Sequence, residues 1–194
     1  MGRSQEFDTQ TVVAAVLDVF WSHGYEGVSL TDLETATGLS RSSLYNSFGN
    51  KRGLFDAAVA MYLDYVIRPR LRGLTENPTA DAVDKYLYSL SVAIAAMTPE
   101  SPRRGCLLLN TATGMGAHDD ALAEVVRNYR RELSDALRSG LIAIFPDAPD
   151  PALDDRTRIL LSCTVSALVL ARVDTLQAIA ILDTARRTTT EWQS

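Results

Sequence analysis

Between Ser29 and Lys51 the chain gathers side chains suited to gripping a polyanion rather than to breaking a bond. Arg41, Ser42, Ser43, Tyr45 and Asn46 share one short stretch, RSSLYNS, and none is acidic. Serine and tyrosine hydroxyls can hold phosphate oxygens, whereas Arg41 and Asn46 can reach base edges. Ser29 opens a helix whose free N–H groups favour an anion, and Lys51 adds a positive charge at a second helix start. No comparable set exists for catalysis. A Cys106/His118 pair has no identifiable third group, so no enzyme activity is expected. Two cysteines without a CxxC spacing and only two histidines predict no zinc site, no disulfide framework and no cofactor.

These groups must be carried by helices. Val12, Val16 and Val19, then Val13, Leu17 and Phe20, recur at helical spacing over residues 9–23, and Gly24 follows as a stop. Ser29 with Asp32 makes a capping box for a second helix, with Leu30, Leu33 and Ala36 inward, ending at Thr37-Gly38. Ser40 caps a third, short helix over residues 41–47, with Leu44 and Phe48 inward. Gly49 breaks it, Asn50 caps the next, and a fourth helix is expected from Lys51 to about Val66. Two short helices joined by a tight turn containing glycine form a helix-turn-helix, whose second helix can enter a major groove. Asp32 and Glu34 are expected to face away from that groove or to serve as caps.

The remainder also reads as helix, at roughly 79–97, 103–115, 119–144, 152–172 and 175–190. Pro78, Pro102 and Pro151 stand at or near helix starts, where a missing N–H costs nothing. The last two helices are apolar on more than one face, through Ile159, Leu161, Val165 and Val169, and through Leu176, Ile179 and Leu182. Such helices need cover on both sides, and a second subunit can supply it. Cys163 is expected in the core of the first of them.

The chain has 194 residues and a net charge of −5. Acidity alone argues against nucleic acid, but phosphate contacts are local, and residues 35–55 carry Arg41, Lys51 and Arg52 with no acidic residue. No apolar run is long enough to span a membrane, and the polar N-terminus predicts no secretory signal, so a cytoplasmic protein is expected.

Residues 24–55, GYEGVSLTDLETATGLSRSSLYNSFGNKRGLF, resemble the TetR family of bacterial transcriptional regulators. The Gly-Tyr pair, Ala-x-Gly, Leu-Tyr-x-x-Phe and Lys-x-x-Leu elements carry the likeness, while Ser42 stands where glycine is frequent. The resemblance implies an all-α protein with a three-helix DNA-binding domain over residues 1–50. A larger domain, residues 51–194, would bind a small-molecule effector and dimerise through the last two helices. It implies DNA contacts at Ser29, Thr31, Arg41, Ser42, Ser43, Tyr45, Asn46 and Lys51. Tyr45 and Lys51 would act as phosphate anchors, and Arg41, Ser42 and Asn46 as base readers. The implied partners are a double-stranded palindromic operator, an effector and a second copy of the chain.

Effector candidates are apolar or amphipathic residues able to line a cavity: Met61, Tyr62, Tyr65, Tyr86, Leu90, Cys106, Leu108, Asn110 and Met115. Cys106 lies near a helix start behind Arg103 and Arg104, a setting that favours a thiolate. The alternative to a reversible effector is therefore a regulator that senses oxidants or electrophiles through Cys106. Against it stands a plain buried cysteine packed beside Leu107 and Leu108.

Overall fold

The computed structural model describes residues 8–97, 105–114 and 119–193, and every regular element among them is helical. The first four helices are α1 (Thr9–Gly27), α2 (Leu30–Thr37), α3 (Arg41–Phe48) and α4 (Lys51–Tyr62). Asp8 caps α1 by accepting from the Gln10 N–H, and Val12, Val13, Val16, Leu17 and Phe20 form its buried stripe. The expected stop at Gly24 is a kink with φ 73°, after which helical backbone continues to Gly27.

The fourth helix does not end near Val66. It passes through a π-helical turn, Leu63–Ile67, into α5 (Arg68–Thr75). Pro69 has no N–H, and its ring crowds the carbonyl of the residue four before it, Tyr65. The wider π turn lies where that misfit would fall.

Phe20, Leu33, Leu44, Leu54 and Phe55 have no exposed surface and form the core of the first compact unit. Phe20, Tyr25 and Phe55 pack as three mutually touching rings, and Trp21 meets Tyr62 edge-on at 4.8 Å. α4 supplies Phe55 and lies along α1, and this compact unit extends to Ile67.

The second unit holds α5, α6 (Ala82–Ala95), α7 (Leu107–Gly114), α8 (Asp120–Ile144), α9 (Asp150–Leu170) and α10 (Thr175–Glu191). Its interior is mostly leucine, including Leu87, Leu133, Leu137, Leu141 and Leu160. Arg186 forks onto both carboxylate oxygens of Asp84, at 2.7 and 3.1 Å, and ties α10 to α6. Arg138 bridges Asp150 and Asp154 and so ties α8 to α9. Arg103, Arg104, Met115 and His118 lie outside the described residues.

Candidate nucleic-acid interface

The turn between α2 and α3 is built by four local devices. Ser29 accepts from the Asp32 N–H at 3.2 Å, while the Asp32 carboxylate accepts from the Ser29 N–H at 2.8 Å and from its hydroxyl at 2.7 Å. This closed box starts α2, and those hydrogen bonds hold the Asp32 carboxyl below its ordinary value. Gly38 ends α2 with φ 68°, a left-handed conformation in which its N–H reaches the Glu34 carbonyl at 2.9 Å. Thr37 steadies the turn by donating to the Leu33 carbonyl. The Glu34 carboxylate then accepts from the Arg41 N–H at 2.6 Å, so one acidic side chain of α2 satisfies a free donor of α3. Asp32 and Glu34 are thus both engaged in capping.

Ser40 caps α3 and draws the Ser42 and Ser43 hydroxyls to within 2.9 and 3.1 Å of its own. A hydroxyl engaged on one side still has a donor or acceptor to offer on the other. Leu44 is fully buried, which turns the opposite side of the helix outward. Ser42 and Asn46 are exposed there, Arg41 is exposed one turn before Leu44, and Ser43 and Tyr45 are half-buried at the margin. The Arg41 guanidinium lies 5.2 Å from the centre of the Tyr45 ring. Ser29 and Thr31 are exposed at the start of α2.

Asn50 caps α4 by accepting from the Gly53 N–H at 3.0 Å, and Lys51 is its first residue. The Lys51 ammonium lies 4.6 Å from the centre of the Tyr25 ring. Partial burial pulls its pKa below the ordinary lysine value, against the opposing pull of Asp32 and Glu26. Two residues of this arrangement escape a reading by residue type. Tyr25 looks like a core aromatic, and its partner is 26 positions away. Gly53 looks like one more helical residue, yet a Cβ there would stand 1.9 Å from the Phe48 carbonyl oxygen.

The effector candidates fall in both compact units. Tyr62 is buried under Trp21. Met61 and Tyr65 line a groove of about 410 Å³ along α1 with Gln10, Ala14 and Leu17, and Tyr65 is 64% exposed. All three belong to the first unit. Tyr86, Leu90, Cys106 and Leu108 are buried in the second unit, where Asn110 is half-buried. Cys106 immediately precedes α7 and has no exposed surface; its thiol faces the Tyr129 hydroxyl at 3.8 Å. Burial raises the Tyr86 phenol far above its ordinary value, and nearby Cys106 adds to the shift. Cys163 is half-exposed on α9 rather than in the core, and burial of its thiol lifts its pKa. Among the described residues, no group of three or more His, Cys, Asp or Glu could hold a metal, and no helix is long and apolar enough to cross a membrane.

Residues 12–58 match the family model described as bacterial regulatory proteins, tetR family. YezE of Bacillus subtilis, an uncharacterized HTH-type transcriptional regulator, is 33% identical over 185 residues, covering 91% of this chain and 94% of that protein. ComR of Escherichia coli, an HTH-type transcriptional repressor, is 31% identical over 129 residues, covering 66% of this chain and 60% of that protein. Among solved structures, a cysteine mutant of the regulator CifR in complex with operator DNA superposes with a TM-score of 0.80 at 30% identity. That likeness covers 95% of this chain and 98% of the CifR chain.

Proposed function

Because the chain belongs to the TetR family of bacterial regulatory proteins, we propose that it is a homodimeric transcriptional repressor that leaves its operator when an effector binds. The carrying observation is the outward face of α3, where Arg41, Ser42, Tyr45 and Asn46 surround a helix anchored by Leu44. That face has the size and chemistry of a major-groove reader, and the capped start of α2 and Lys51 supply phosphate grips on either side of it. CifR, in complex with operator DNA, supports the same use of the fold. Base reading falls to Arg41, Ser42 and Asn46, and phosphate anchoring to Tyr45, Lys51, Ser29, Thr31 and Ser43.

Dimerisation is supported by apolar surface left open on α9 and α10. Ile159, Cys163 and Leu170 share one side of α9, and beyond its end Val173, in the turn, and Leu176, on α10, are 72% and 81% exposed. A second copy would cover this stripe. Effector binding belongs to the second unit, with Tyr86, Leu90, Cys106, Leu108 and Asn110 as its candidate contacts. An effector that prefers the dimer in which the two α3 helices no longer match successive major grooves would shift the population off the operator.

Selection from a pool of randomised duplexes tests the reading. Enrichment of an inverted repeat with half-site centres about 10 base pairs or a multiple apart is expected. Recovery of isolated half-sites, or no enrichment, would overturn it.

A further inference from the structure

We infer that Tyr25 is a positioning residue for DNA binding, its ring serving as a platform that presents the Lys51 ammonium to the phosphate backbone. The inference rests on the DNA-binding reading of the first unit and adds to it a residue that touches no DNA itself.

Tyr25 follows the kink at Gly24. Its ring stacks on Phe20 at 5.9 Å with an interplanar angle of 10°, and meets Phe55 edge-on at 5.0 Å. Phe20 and Phe55 are fully buried and meet each other at 5.1 Å, so the tyrosine ring is fixed by two residues that cannot move without opening the core. Over this ring the Lys51 ammonium sits 4.6 Å from the centroid. A cation is attracted to the face of an aromatic ring. A lysine side chain otherwise spreads over many rotamers, and ordering it on contact with DNA would cost entropy. Held on the ring, the ammonium is already ordered when a phosphate arrives. Two elements separated in sequence thus meet at this ring: the kinked end of α1 and the first residue of α4.

The test measures binding of the full-length protein to a mixed-sequence duplex of about 30 base pairs across a range of salt, since phosphate contacts need no operator. Lys51→Gln is expected to weaken binding and to lower the salt slope by about one per head. Tyr25→Leu should weaken binding by about two- to fivefold per head. Tyr25→Phe, which keeps the ring, should bind like the parent. In a Lys51→Gln background, Tyr25→Leu should add no further loss, because its effect passes through that ammonium. Additive losses, or equal weakening by Phe and Leu, would overturn the platform role while leaving DNA binding intact. Salt-independent binding by the parent protein would instead sink the DNA-binding reading. Should Tyr25→Leu fail to fold, the unmodified protein still decides. The Lys51 ε-methylene protons, assigned by their loss in Lys51→Arg, are expected upfield of exposed lysines through the ring current. An ordinary lysine shift there would end the proposal.

Discussion

At the scale of single residues, the first unit divides its polar groups between building the turn and meeting a partner. Ser40, Asp32 and Glu34 spend their hydrogen bonds on capping, whereas Arg41 and Asn46 stand exposed on α3. Tyr45 lies between these roles. Its ring carries the Arg41 guanidinium, and its hydroxyl is the group able to reach a phosphate. Tyr45→Phe keeps the ring and removes the hydroxyl. A neutral hydrogen bond contributes about 1 kcal/mol, so each head should lose roughly fivefold in affinity. No counterion is released by a hydroxyl, so the salt slope should stay that of the parent. Titrations at several salt concentrations check both parts. A reduced slope would mean that the hydroxyl also helps to hold a charged phosphate contact in place. Asp32 offers a pH test of the capping box. Its folded pKa lies below the ordinary 3.8, so the stability it contributes is present above that value and disappears as pH falls through the folded value. Asp32→Asn should therefore melt lower than the parent at pH 6, with the two curves converging in acid once pH has fallen through the folded value. A gap that persists in acid would assign the effect to packing rather than charge.

Helices and their ends explain what could be read beforehand and what could not. The boundaries of α2 and α3 follow from residues adjacent in sequence: Ser29 with Asp32, Gly38, Ser40, Gly49. Such signals are local, and residue type carries them. Pro69 carries a local signal too, but it reads as a stop. The helical path survives because a π turn precedes the proline, and α5 was invisible for that reason. Cys163 sits in a largely apolar helix, and its exposure depends on which neighbours α9 happens to have. Met61, Tyr62 and Tyr65 have the right chemistry for an effector cavity, and all three belong to the first unit, where α4 packs on α1. Gly53 is the sharpest case of a long-range demand on a single position. Gly53→Ala would press a methyl group into the Phe48 carbonyl where α3 turns into α4. A loss of about 2 kcal/mol or more is expected in urea unfolding, at the severe end of ordinary substitutions. Gly73 in α5 has open space where its Cβ would be, so Gly73→Ala should gain about 0.5–1 kcal/mol. Equal effects of the two substitutions would show that the close approach at Phe48 relaxes freely.

For the whole molecule, the acidic total and the DNA-binding role are compatible because the charges that matter are placed, not summed. The chain carries 24 acidic and 19 basic residues, yet the two acidic side chains nearest the reading face, Asp32 and Glu34, are locked into helix caps. In the proposed dimer the rest of the affinity would come from having two heads. One short helix meeting one half-site leaves few contacts, and joining two heads turns the second contact into an intramolecular one. The apolar stripe on α9 and α10 is what would join them. Ile159 is 47% exposed, and its place in that stripe makes it a sensitive probe. Ile159→Asp puts a charge where a partner would bury it, while in the isolated chain the aspartate stays in water and the fold should persist. The expected outcome is a monomer by sedimentation with an unchanged helical spectrum, and operator binding weaker by about a thousandfold or more. Alkylation of Cys163, one turn from Ile159, gives an independent reading of the same surface. Iodoacetamide should modify it slowly in the parent and faster in the Ile159→Asp protein, because only the monomer leaves that thiol open. A variant that stays dimeric with Cys163 still protected would move the subunit interface elsewhere on the second unit. Monomers that still hold the operator tightly would show that one head suffices, and the two-headed account of recognition would have to be abandoned.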